Sequence, residues 1–169
     1  MQNWVMENKK GISAVVATVL MILITVAAVT IIWVAIIPLI NNQLDKGRAC
    51  FDAISQVSLP DQGYTCISSD GKNVTLQIKR GSMELDLVDA QVIFSSGGNS
   101  YSFALSDPST TISPAGEITF PNINEERVYV IDTSSITGEI ETVELAPVVQ
   151  IGKSQEVCDV SSSRKLKVC

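Results

Sequence analysis

The sequence predicts an α+β chain in which one long apolar N-terminal helix is followed by an all-β sandwich. Three observations carry that expectation: an uncharged run from Ile12 to Ile40, a change to alternating hydrophobicity beyond Cys50, and turn residues that recur between the alternating stretches. The organisation expected is a leader over residues 1–11, an apolar helix over 12–46 and a β-sandwich domain over 47–169.

The helix comes first. At about 1.5 Å per residue, a helix over the uncharged run outreaches the roughly 30 Å hydrocarbon core of a bilayer. More than half of its residues are β-branched, among them Val15, Val19, Ile22, Val26, Val29 and Ile36. That composition makes a poor helix in water and suits lipid or a packed helical core. Pro38 lacks a backbone donor and disfavours helical geometry at Ile37, so a kink or local loosening is expected there. Asn41, Asn42 and Gln43 mark emergence into water, and Lys46, Gly47 and Arg48 read as a helix end near Leu44 or Asp45.

Lys9 and Lys10 precede the run, and the positive-inside tendency assigns that side to the cytoplasm and the remainder of the chain to the outside. All four cysteines, Cys50, Cys66, Cys158 and Cys169, fall beyond the run, an even number in a compartment where disulfides persist. Two bridges are expected. The chain has no histidine and no CxxC spacing, which argues against a metal site.

Beyond Cys50 the chain reads as one domain of about 120 residues with a single core. Ala53 to Leu59, Tyr64 to Ser68, Val74 to Ile78, Leu85 to Phe94, Tyr101 to Leu105, Ile118 to Phe120, Arg127 to Ile131, Ile140 to Leu145 and Val148 to Ile151 are the candidate strands. Pro60-Asp61-Gln62-Gly63, Asp70-Gly71-Lys72-Asn73, Ser95-Ser96-Gly97-Gly98-Asn99, Asp107-Pro108, Pro114-Ala115-Gly116 and Thr137-Gly138 divide them. The expected architecture is an immunoglobulin-like sandwich in a meander or Greek key.

Four cysteines allow three pairings. A hairpin turning at Pro60 to Gly63 sets Cys66 opposite about Val57, away from Cys50. That disfavours a Cys50–Cys66 bridge, and of the two pairings that stay open Cys66 with Cys158 and Cys50 with Cys169 is preferred. From Asp45 onward 17 Asp and Glu face 10 Lys and Arg, so a nucleic-acid partner is disfavoured on charge. No catalytic site and no cofactor site are expected, because a nucleophilic triad lacks its histidine and no Gly-rich phosphate loop follows a strand. The acidic pairs Glu84 with Asp86, Glu125 with Glu126 and Glu139 with Glu141 are read as solvent-facing positions of strands. Asn73-Val74-Thr75 is an N-glycosylation sequon.

The stretch Lys9-Lys10-Gly11-Ile12-Ser13-Ala14-Val15-Val16-Ala17-Thr18-Val19-Leu20 and onward to Ala28 resembles the N-terminal signature of archaeal type IV pilins. The resemblance covers roughly the first 40 residues. It implies a class III signal cut by a prepilin peptidase between Gly11 and Ile12, which leaves the apolar segment on the mature chain. Bacterial pilins usually carry a glutamate where Val16 stands, so that branch and its registration do not transfer.

Such a helix can leave lipid only for another apolar environment, and a bundle of identical helices is one. Ser13 with Ala17 and Ala14 with Thr18 are small residues four apart, and Ala27, Ala28 and Ala35 extend a low-profile surface. A head-to-tail contact that does not close generates a filament. The leading expectation is a prepilin, a membrane precursor that becomes an extracellular homopolymer used for adhesion. The alternatives are an archaellin-like motility subunit and a monomeric, membrane-anchored binding module.

Overall fold

The computed structural model describes residues 14–113 and 118–169. The chain divides after Gln43 into two compact units. Helix α1 spans Ala14–Ile31, a π-helical turn spans Ile32–Ile36, and helix α2 spans Ile37–Gln56. The loosening expected at Pro38 falls one turn earlier. The Ile37 amide donates to the Ile32 carbonyl, five residues back, immediately before the proline. A proline ring crowds the carbonyl four residues upstream, and a wider turn relieves that crowding while the helix continues.

Helix α2 runs past Gly47 to Gln56, about three turns beyond the end expected from the sequence. Packing overrides the stop signal. Ala49, Cys50, Ala53 and Ile54 recur at helical spacing and turn onto the core of the head, with Ala53 fully buried. The expected strand over Ala53 to Leu59 is thus mostly helix, and only Val57–Ser58 is extended, as β1.

The remaining strands are β2 Cys66–Ile67, β3 Asn73–Arg80, β4 Leu87–Ser96, β5 Asn99–Ala104, β6 Thr111–Ser113, β7 Glu126–Asp132, β8 Ile140–Ile151, β9 Ser154–Val157 and β10 Ser162–Lys165. One sheet has the order β1-β3-β7-β6 with β2 also on β3, and the other has the order β10-β8-β4-β5 with β9 also on β8. All of these pairings are antiparallel. The chain changes sheet after β3, β5 and β7, which is the Greek-key order of an immunoglobulin-like sandwich.

Alternation fixes the faces. Val74, Leu76 and Ile78 of β3 and Tyr129 and Ile131 of β7 meet Val92 and Phe94 of β4 and Val143 and Leu145 of β8, all fully buried. The Phe94 and Phe103 rings lie 5.9 Å apart, tilted by 54°. Gly97 and Gly98 both take positive φ, 54° and 83°, and form the two-residue loop that pairs Ser96 with Asn99.

Each sheet has one interrupted edge. β1 and β2 both pair antiparallel with β3, at its end and near its start, so residues 59–65 bulge from an edge and make no hairpin. β9 and β10 lie in line along β8 in the same way. Pro147 explains that second interruption. Its carbonyl accepts from Cys158 N at 2.9 Å, and its ring nitrogen, on the same side, has no proton to donate, so β9 and β10 separate where no ladder bond was available. Ile140 to Leu145 and Val148 to Ile151, expected as two strands, are one. Ile118 to Phe120 is not a strand.

Candidate functional site

The first candidate site is the apolar helix. Lys9, Lys10, Gly11, Ile12 and Ser13 lie outside the described residues. Ala17, Thr18, Ala27 and Ala28 stand on α1 with Ala14 at its start, and α1 buries none of its residues. Val15, Met21, Ile24, Val26 and Ile31 are among the exposed apolar side chains. The hydroxyls are satisfied within the helix: Thr18 donates to the Val15 carbonyl at 2.9 Å, Thr25 to Ile22 at 2.8 Å and Thr30 to Val26 at 2.5 Å. A surface without unsatisfied polar groups is what hydrocarbon or a neighbouring helix requires. Thr25, Val26, Val29, Thr30 and Trp33 line a shallow groove of about 350 Å³ on it. The helix is long and apolar enough to cross a membrane, a property shared with signal sequences near an N-terminus.

The second feature is the pair of disulfides. Cys50 joins Cys158, and Cys66 joins Cys169, each with Cα atoms 5.2 Å apart. This corrects the pairing favoured from the sequence. Helix α2 continues through Cys50 and carries it on the core-facing side, opposite the segment between β9 and β10 that holds Cys158. Ile67 meanwhile bridges to Val168, and Cys169 N donates to the Ile67 carbonyl at 2.9 Å, which brings Cys169 beside β2. The sequence separations of 108 and 103 residues make both bridges long-range. Together they tie the helix and the chain's last residues to the two interrupted edges.

Several polar groups in the head are committed to structure. Glu125 accepts from Asn122 N at 2.7 Å and from Arg127 at 2.6 Å, and those bonds, the amide first, hold its carboxyl below the usual range. Glu126 pairs with Lys79 at 3.1 Å. Tyr129 donates its hydroxyl to the Thr119 carbonyl at 2.7 Å, and burial pushes its phenol up to about 12. Arg80 is buried beside Phe120 and donates to the Leu85 carbonyl at 2.7 Å and the Pro121 carbonyl at 3.2 Å, which fixes both loops. Among the described residues no group of three or more His, Cys, Asp or Glu side chains is placed to hold a metal. Asn73 opens β3, and Asn73 and Thr75 lie on the opposite face from buried Val74 and Leu76. The sequon therefore faces outward.

A cleft in the head was not anticipated. Pro60, Asp61, Gly63, Thr65 and Cys66 line one side, and Arg164, Lys165 and Lys167 the other, around about 450 Å³. Arg164 pairs with Asp61 at 2.5 Å and donates to the Leu59 carbonyl at 3.0 Å. The sequence signal was three basic residues within four in an otherwise acidic domain. A smaller cleft of about 230 Å³, lined by Ser68, Ser69, Glu139, Leu166 and Val168 among others, opens between β2 and β8. Compared with known proteins, the chain matches no family model, no curated protein and no solved structure.

Proposed function

We propose that this chain is the precursor of a structural subunit of an archaeal type IV pilus-like filament. Prepilin peptidase cuts it between Gly11 and Ile12, the apolar helix packs with the helices of other copies in the filament core, and the head forms an extracellular surface that serves adhesion. Its role is structural, without catalysis or cofactor.

The observation that carries this reading is the helix Ala14–Ile31, apolar on every face and with none of its residues buried. Exposing that surface to water is unfavourable at roughly 25 cal/mol per Å². Lipid resolves the problem before assembly and like helices resolve it afterwards. The π turn before Pro38 lets the helix carry a proline without stopping. Two long-range disulfides and an outward sequon suit a head exposed outside the cell.

One observation favours a second reading, a membrane-anchored binding module that never polymerises: the basic cleft on the head. A Gly11→Phe variant compared with wild type separates the two, because an anchored module gives full-length chain and no filament in both. Full-length precursor retained in the membrane with no sedimentable filament is the expected result. Normal assembly by that variant removes the cleavage step from the reading.

A further inference from the structure

We infer that the cleft between residues 59–66 and Arg164–Lys167 binds an anionic sugar polymer, one bearing carboxylate or sulfate groups. Its size falls within the usual range of ligand pockets, about 300 to 1,000 Å³. Four of the head's basic side chains, Lys46, Lys79, Arg127 and Arg164, are engaged in ion pairs. Lys165 and Lys167 have none among the described residues, and both are exposed. They flank Leu166, which packs on the core, and both line the cleft.

The walls are fixed before any ligand arrives. Arg164 is held by the Leu59 carbonyl and by Asp61, Leu59 N donates to Ser162 Oγ at 3.2 Å, and the Cys66–Cys169 bridge closes the end. Preorganised walls spare a ligand the ordering penalty of a mobile site. The net acidity of the head does not defeat this, since charges more than a Debye length away, about 8 Å at physiological ionic strength, are largely screened.

The choice among anions rests on Tyr64, which stands between the lining residues Gly63 and Thr65 in the chain and is 72% exposed, leaving an aromatic ring free on the segment that forms one wall. An acidic protein segment would use the lysines and has less use for the ring, whereas a sugar presents an apolar ring face and a charge together. The inference stands whether one copy is anchored or many polymerise; its use in adhesion rests on the reading above.

The test is binding of the full chain, in nanodiscs of zwitterionic lipid, to polygalacturonate, dextran sulfate and neutral dextran. Binding to at least one anionic polymer and none to neutral dextran is expected, and the two anionic arms tell carboxylate from sulfate. Lys165→Gln/Lys167→Gln should weaken binding about tenfold or more, with an unchanged circular dichroism spectrum. Tyr64→Ala should weaken it about threefold to tenfold, which a diffuse counter-ion effect would not produce. Equal binding by wild type and the double-lysine variant overturns the assignment. So does an absence of polymer binding combined with loss of self-association in that variant, which would make a second copy's acidic surface the ligand.

Discussion

The two units of this chain solve the same problem in opposite ways. From Leu44 to Cys169, apolar side chains are turned onto one another between two sheets and under α2, and Leu76, Phe94, Tyr129 and Leu145 are fully buried. Over α1 fifteen of the eighteen residues are apolar and none is buried. The head carries its own core and cross-links, whereas the helix depends on whatever surrounds it. Stability measured on one should be blind to changes in the other.

The largest effect should come from the core. Phe94→Ala removes a ring packed against Phe103 and should lower head stability by about 3 to 5 kcal/mol in denaturant titration, with membrane retention unchanged. Next, Cys50→Ser/Cys158→Ser should lower it by roughly 2 to 5 kcal/mol, because the bridge closes a loop of 108 residues. An equal melt with and without the bridge would mean that α2 is held to the head by packing alone. On the other side of the comparison, Val26→Asp should reduce membrane retention, with an insertion penalty of about 2.5 to 3.5 kcal/mol, and leave the head's melting unchanged. A shift in head melting would break the separation of the two units.

Smaller effects sharpen the picture of the head. Tyr129→Phe removes the bond to Thr119 and should lower stability by about 1 kcal/mol near neutrality. Because the folded phenol titrates at about 12 against an ordinary value of 10.0, the unfolded chain loses this proton first and wild-type stability falls as pH rises between those values. The variant should lack that part of the alkaline decline. At the acid end, Ser68 holds Asp70 low, Ser109 holds Asp107 low, Asn122 and Arg127 hold Glu125 low, and Ser134 holds Asp132 low. Depressed carboxylates contribute fully above their unfolded values of 3.8 and 4.5, and the contribution is lost as pH falls through the lower folded ones. The part of the melting temperature that these four carboxylates supply should therefore decline only in acid, and modestly, since all four groups are exposed to solvent screening.

What the sequence disclosed differs between the units for a physical reason. A helix apolar on every face leaves a plain signal, an uncharged run, and residues Ile12 to Ile40 display it. Alternation disclosed β3, β4 and β7, where one face is core and the other is solvent. It failed where packing overrode local chemistry. Gly47 reads as a helix end, yet Ala49, Cys50, Ala53 and Ile54 dock on the core and carry the helix through it. Pro147 reads as a strand break, yet its missing donor faces the neighbouring strand, which is the one that breaks. The disulfide pairing failed with the hairpin assumed at Pro60 to Gly63, because two segments in line on one edge look the same in sequence as two strands back to back. The basic cleft needed the fold, since its two walls are about a hundred residues apart.

The most direct measurement is intact-mass and N-terminal analysis of the protein sheared from the cell surface. A chain beginning at Ile12 and recovered in sedimentable filaments is the expected result, and it joins processing to polymerisation in one observation. A chain still carrying Met1, released only by detergent and never sedimenting as a filament, would contradict the account and leave a fixed anchor bearing a binding domain.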